Sequence, residues 1–207
     1  MKRFATFLSF LLFFAGNATS QEVERHAVKA DCLMSGDLLF YKEDQSDMER
    51  AISKSTGKYT HVSLVECDST GNLWVIEATT GQGVRRVMLD SQDCPISHNI
   101  DVYRLSVPYD TAAVITRAKS FIGQPYDDSF LPDNGALYCS ELIYEAFIDA
   151  DGKHLFQSQP MNFRDRHGKM PKYWKRHFKK IGMEVPEGVE GTNPTDMSQS
   201  PLLIKVY

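Results

Sequence analysis

Cys139 stands where Tyr138-Cys139-Ser140-Glu141-Leu142-Ile143-Tyr144-Glu145-Ala146-Phe147 passes from a turn-rich stretch into a helical pattern. The first turn of a helix carries unpaired N–H groups and partial positive charge, a setting that favours a thiolate over a thiol. Cys139 is therefore a candidate nucleophile. Leu142, Ile143, Ala146 and Phe147 follow it by three, four, seven and eight residues, so the thiol shares the face that packs inward. A buried structural cysteine would occupy the same position, because a free thiol packs as a small hydrophobe.

The second group of reactive types lies in a hairpin pattern. Thr60-His61-Val62-Ser63-Leu64-Val65-Glu66 and Leu73-Trp74-Val75-Ile76-Glu77-Ala78-Thr79 alternate as strands around the turn cluster Asp68-Ser69-Thr70-Gly71-Asn72. With the turn centred near Thr70, the expected register sets His61 directly opposite Glu77 on one sheet face. Such a pair is the second half of a Cys-His-carboxylate relay. His61 would take the Cys139 proton, Glu77 would orient the imidazole, and the thiolate would attack a carbonyl to form an acyl-enzyme. The Cys139 backbone N–H is the natural first oxyanion donor, with the hydroxyl of Tyr126 or Tyr138 as a candidate second donor and substrate contact.

Other elements must position these groups. Gly36-Asp37-Leu38-Leu39-Phe40-Tyr41 reads as a turn and strand, and a short surface helix is expected between Lys42 and Gly57. Val84 to Leu89 and Ile100 to Leu105 read as strands, with Asp93-Cys94-Pro95 breaking the chain between them. Asp110 caps a helix whose apolar residues Ala113, Val114, Ala118 and Phe121 share one face, and Gly123 follows its end. A second helical pattern has Met170, Tyr173, Trp174, His177, Phe178 and Ile181 on one face, with Pro171 suited to its first turn. Glu184 to Pro201 reads as irregular, and Leu202-Leu203-Ile204-Lys205-Val206 as a last strand.

The motifs and their order resemble the permuted papain-like amidases of the YiiX and YaeF type, relatives of the NlpC cysteine hydrolases. The likeness rests on Ser35-Gly36-Asp37, Tyr59-Thr60-His61, Val75-Ile76-Glu77-Ala78, Gly123-Gln124-Pro125-Tyr126-Asp127 and Tyr138-Cys139-Ser140-Glu141, with a similar tail between Gly191 and Pro201. Histidine and carboxylate precede the cysteine, whereas ordinary papain-like chains have the cysteine first. The resemblance implies an α+β, circularly permuted papain-like (NlpC-type) fold, with an antiparallel sheet packed against helices. It also implies a cysteine amidase or peptidase with Cys139 as nucleophile, His61 as base and Glu77 as orienting residue.

Composition narrows the remaining classes. The chain has 207 residues, 42% of them hydrophobic, enough for one well-cored domain. Lys2 and Arg3 precede an apolar run over residues 4–15 and the small residues Ala18-Thr19-Ser20, so residues 1–20 read as a secretory signal peptide and residues 21–207 as the domain. Removing Lys2 and Arg3 takes the formal charge from −4 to −6, which disfavours nucleic acid as the main partner. Export to the periplasm or exterior permits disulfides, and if Cys139 stays free then Cys32, Cys67 and Cys94 allow at most one pair.

His26, His98, His154, His167 and His177 lack the spacing of a zinc site, so neither metal nor cofactor is expected. The basic residues between Arg164 and Lys180 read as a solvated face, with weak contact to an anionic envelope surface as the alternative. The expected substrate is a cell-wall peptide or another amide-linked envelope molecule. A lipid-directed thiol amidase or acyltransferase, favoured by a long apolar tunnel beside Cys139, is the second reading. A secreted binding module with a silent site is the third.

Overall fold

The structure is a computed structural model that describes residues 33–42, 45–89 and 99–207. The expected signal peptide and the Asp93-Cys94-Pro95 break lie outside the described residues. Among the described residues, eight strands and five helices follow in the order β1 (Leu38–Tyr41), α1 (Asp47–Thr56), β2 (His61–Cys67), β3 (Leu73–Thr79), β4 (Gly83–Met88), β5 (Ile100–Leu105), α2 (Thr111–Ser120), α3 (Cys139–Ala146), β6 (Gln159–Pro160), α4 (Lys172–Ile181), β7 (Glu190–Gly191), α5 (Pro194–Ser198) and β8 (Leu203–Lys205). Six strands form one antiparallel sheet in the order β4-β3-β2-β1-β5-β8, and β6 pairs with β7 separately.

Strand alternation divides the sheet into two buried faces. Leu38, Phe40, Val62, Leu64, Ile76, Ala78 and Val84 pack with residues of α2 and α3, among them Val114, Ala118, Leu142 and Ile143. Leu39, Val65, Val75 and Val102 point the other way and cluster with Leu33. Leu142, Ile143, Ala146 and Phe147 are fully buried, which seats α3 against the sheet. Removing a Leu, Ile or Phe side chain from water contributes about 1.5–3 kcal/mol. This apolar contact holds the Cys139 end of the helix in place.

The turn before β3 is centred on Thr70, and an antiparallel register about that centre differs from the expected pairing, because His61 opposite Glu77 requires a turn centred one residue earlier. Leu64 opposes Ile76 and Cys67 opposes Leu73, a register that sets His61 across from Thr79 rather than Glu77. The difference is two residues, and a two-residue shift preserves the face. Asp68 fixes this turn by accepting hydrogen bonds from the backbone N–H of Thr70 and Asn72, at 2.9 Å each, and from Trp74 Nε1 at 2.8 Å.

Several ends are set by local caps. Ser46 and Glu49 form a capping box on α1, Gly57 ends it, and Asp110 accepts from the Ala113 N–H to start α2. Pro171 is the residue before α4 rather than within its first turn. The tail expected to be irregular contains α5, where the Asn193 side chain accepts from the Asp196 N–H and Pro194 opens the helix. Asp37, in the Ser35-Gly36-Asp37 motif, is buried and takes a two-pronged ion pair from Arg104 at 2.6 and 2.8 Å, tying β1 to β5.

Gly83 secures the loop that carries Tyr126. Its φ is +70°, and a Cβ there would lie 2.2 Å from the Gln124 carbonyl oxygen. The close approach lets Gln124 O accept from the Val84 N–H and Gly123 N–H donate to Val84 O, both at 2.9 Å. Gly83→Ala should therefore destabilise the protein by roughly 2 kcal/mol or more, read as a fall in Tm of several degrees by circular dichroism.

Candidate active site

His61 is the first residue of β2, and its Nε2 lies 2.8 Å from Glu77 Oε2. The two residues are diagonal neighbours on one face, within reach although not directly opposed. An ionised carboxylate only accepts, so Nε2 carries the proton and Nδ1 is left for the thiol. The His61 ring and the Cys139 side chain line one cavity, and their interaction is among the causes that raise the His61 pKa. By alternation His61 belongs to the face away from α3, and its place at the strand end is what lets the ring reach a sulfur on the helix side.

Arg85 completes the carboxylate's surroundings. It stands opposite Glu77 across β3 and β4, and its Nε and Nη2 donate to Glu77 Oε1 at 2.9 and 2.6 Å. One carboxylate oxygen is thus taken by Arg85 and the other by His61. Sequence reading missed Arg85, although the signal was present: Thr79 to Gly83 form the next turn, and centring it on Gly81 opposes Arg85 to Glu77.

Cys139 is buried, carries a free thiol and opens α3. The helix starts there because Tyr138 is extended and its N–H is held by Glu141 Oε2 at 3.4 Å. The residues on either side of Cys139 are pinned by Thr192, whose N–H donates to the Tyr138 hydroxyl at 2.9 Å and whose Oγ1 donates to Ser140 Oγ at 3.0 Å. Three residues on, Thr195 Oγ1 accepts from the Tyr59 N–H at 3.0 Å, just before His61. Nothing local in the sequence marks Thr192 or Thr195, since each acts on residues more than fifty positions away.

Tyr126 lines both spaces beside Cys139, whereas Tyr138 lines one of them. Tyr126 shares an open cavity of about 460 Å³ with Cys139, His61, Glu77 and Arg85, roofed by Met48, Ile52 and Tyr173. Burial, and next the proximity of Cys139, push its phenol well above the ordinary value, against a hydrogen bond with Thr80, so it stays a protonated donor. Tyr138 lines a narrow aromatic slot on the other side of Cys139, together with Phe130, Met161, Phe163 and Trp174. Its hydroxyl is engaged with Thr192. Its ring centroid lies 5.3 Å from that of Phe130.

The charges of the pair favour a protonated imidazole. Burial alone would lower the His61 pKa, but hydrogen bonds with Cys139 and Glu77, and the charge on both, raise it from 6.5 to about 10. Burial would raise Glu77, yet the His61 hydrogen bond and charge, followed by those of Arg85, hold it below the ordinary value. Glu141 behaves oppositely: burial and then the nearby Asp127 carboxylate push it up to about 8.

Among the described residues no group of three His, Cys, Asp or Glu side chains is placed to hold a metal, and no helix is long and apolar enough to cross a membrane. His154 stacks on Tyr144, and His177 Nε2 bonds the Asp128 carbonyl at 2.6 Å. Cys67 is exposed and, like Cys139, forms no disulfide among the described residues.

A thiol at a helix start, a histidine at a strand end and a carboxylate behind it match the arrangement expected of a papain-like cysteine hydrolase. A family model described as permuted papain-like amidase enzyme, YaeF/YiiX, C92 family, matches residues 32–207, and the chain belongs to that family. It is thus a papain-like amidase or cysteine peptidase by family. Among solved structures it is similar to one described as metalloprotein yiiX from Escherichia coli O157:H7, with a TM-score of 0.68 and 22% identity over 84% of this chain and 96% of that one. At that identity the likeness establishes the fold. No match is found among curated proteins.

Two outcomes test the electrostatics. The His61 imidazole should titrate near pH 10 by NMR, so the stability its charged form contributes is complete below about 6.5 and is lost as pH rises through about 10. Glu77→Gln should lower that pKa by roughly one unit or more; an unchanged titration would remove Glu77 from the ring's environment. For Glu141 the folded value lies above the ordinary 4.5, so its contribution falls as pH rises from 4.5 through about 8. Glu141→Gln, which keeps an acceptor for Tyr138, should gain Tm relative to the parent between pH 6 and pH 9, and the gain should grow with pH.

Proposed function

We propose that the protein is an exported cysteine hydrolase that cleaves an amide bond in a cell-wall peptide or another amide-linked envelope molecule. The observation that carries this reading is the cavity shared by Cys139, His61, Glu77 and Tyr126. The basic, apolar and small-residue succession of residues 1–20 supports export.

In the proposed cycle the Cys139 sulfur attacks the amide carbonyl carbon, forming a C–S bond and a tetrahedral oxyanion. The Cys139 backbone N–H at the helix start and the Tyr126 hydroxyl donate to that oxyanion. Protonated His61 passes its proton from Nδ1 to the departing amine as the C–N bond breaks, leaving a thioester. Neutral His61 then takes a proton from water, which attacks the thioester and releases the acid, while sulfur regains its starting state. Glu77 keeps Nδ1 aimed at the sulfur throughout. Tyr138 accepts from the Thr192 N–H and thereby supports the helix start, and Tyr126 is assigned the oxyanion because it is the tyrosine of the two that lines the catalytic cavity.

The peptide reading is supported by the small free volume of the aromatic slot, about 30 Å³, where a single buried water needs about 10–15 Å³ by the same measure, so that slot does not hold a long acyl chain.

Incubation of the purified protein with muropeptides and a panel of N-acyl amides, read by mass spectrometry, tests this function. Turnover should appear on peptide amides and vanish in Cys139→Ala without loss of fold by circular dichroism. Glu77→Gln should retain activity reduced by roughly 10²-fold. Undiminished hydrolysis in Cys139→Ala would overturn the nucleophile assignment.

A further inference from the structure

Helices α1 and α4 enclose a second recess of about 380 Å³, separate from the catalytic cavity but sharing Tyr173 with it as a wall. Arg50, Lys54, Lys169, Lys172 and Arg176 line it. Asp47 and Asp165 are the acidic residues of the lining, which leaves a surplus of three positive charges among five cations. The surplus is local, because the whole chain carries a formal charge of −4. All five cations are exposed, so no packing requirement accounts for their gathering.

The spacing of the charges narrows the ligand. Arg50 and Lys54 are four residues apart on α1, as are Lys172 and Arg176 on α4, so each helix presents two cations separated by about 6 Å along its axis. In an extended peptide every second side chain points the same way at intervals of about 6.6 Å. Carboxylates on alternate residues would therefore meet successive cations of either rail. Asp47 already takes Arg50 at 2.7 Å and lies 3.8 Å from Arg176, showing that the walls accept a carboxylate between them. Asp165 fixes the approach of Lys169 by accepting that residue's backbone N–H at 2.9 Å. A recess between two helices suits a narrow chain better than a flat lipid surface.

The same helix serves both spaces. Asp47, Arg50, Ala51 and Lys54 of α1 border the basic recess, while Met48, Glu49 and Ile52 border the catalytic one. A chain lying in the recess can thus continue past Tyr173 toward Cys139. Resting on the amidase reading above, we propose that the α1–α4 recess is a subsite for an acidic stretch of the peptide whose amide bond is cleaved at Cys139. The subsite selects substrates with carboxylates on alternate residues and holds them by charge-assisted hydrogen bonds.

Binding and cleavage measured separately test this assignment. Fluorescein-labelled peptides of equal length, carrying glutamate, glutamine or lysine at alternate positions, are titrated into the full-length Cys139→Ala protein and followed by anisotropy. The glutamate peptide should bind at least about tenfold tighter than the glutamine peptide at low salt, with the difference shrinking toward 1 M salt where screening reaches about 3 Å. Adding Lys54→Gln and Arg176→Gln together should abolish that preference, while Lys205→Gln, on the far edge of the sheet, should leave it intact. Equal affinities, or a glutamate preference that survives the double change, would overturn the subsite. So would binding of phosphatidylglycerol vesicles that depends on Lys54 and Arg176 without any glutamate preference. Cleavage by the active protein separates the two proposals. Selective binding with no hydrolysis of any amide leaves the subsite standing and defeats the amidase substrate, whereas hydrolysis indifferent to charge does the reverse.

Discussion

The meeting of a thiol with an imidazole depends here on the burial of one short helix against one face of a sheet. Leu142, Ile143, Ala146 and Phe147 leave water completely when α3 packs on β2 and β3. That packing sets the position of Cys139 as the first residue of the helix. Apolar burial is non-directional, however, and seats a helix without fixing its end to within a hydrogen bond. Directional contacts supply the remaining precision. Thr192 holds Tyr138 and Ser140 on either side of the cysteine, and Thr195 holds Tyr59 beside the histidine strand.

The polar groups form a line in which each member limits the freedom of the next. Arg85 engages one oxygen of Glu77, so the other is directed to His61 Nε2, and the second ring nitrogen is left for Cys139. Each ionised group has a partner of opposite charge, which is the condition under which burial of charge is tolerated. Glu141 lacks such compensation from Asp127, which is itself acidic, and the result is a carboxyl that favours its neutral form. Two buried acids thus lean to opposite states: Glu77 to the anion, and Glu141 to the neutral form at the helix start.

The cavities on the two sides of Cys139 differ in kind. The larger is open, roofed by α1 and Tyr173, and lined by the titratable groups. The smaller is closed by aromatic rings that pack edge to face, such as Phe130 on Trp174 at 5.6 Å between centroids. The aromatic side gives the helix start a rigid backing, and the open side carries the titratable groups. The α1 helix, a short surface element by its sequence, becomes a partition between the catalytic cavity and a basic recess.

Much of this architecture was legible in the residues because it is encoded over short distances. Period-two alternation marked the strands, Asp110 and Gly57 marked helix ends, and Asp68-Ser69-Thr70-Gly71-Asn72 marked the turn whose centre determines the register. His61 and Glu77 were legible as partners on one face, although their pairing lies two residues from the expected one, because the side-chain face repeats every second residue and survives that shift. Arg85 was encoded equally locally, in the next turn. What tertiary structure alone decided is everything that joins distant segments: the reach of His61 around the strand end to Cys139, the engagement of Tyr138 rather than Tyr126 by Thr192, and the gathering of cations from α1 and α4 around one recess. No periodicity connects such residues, because their proximity comes from how whole elements pack, and that is set by the shared burial of apolar faces rather than by neighbours in the chain.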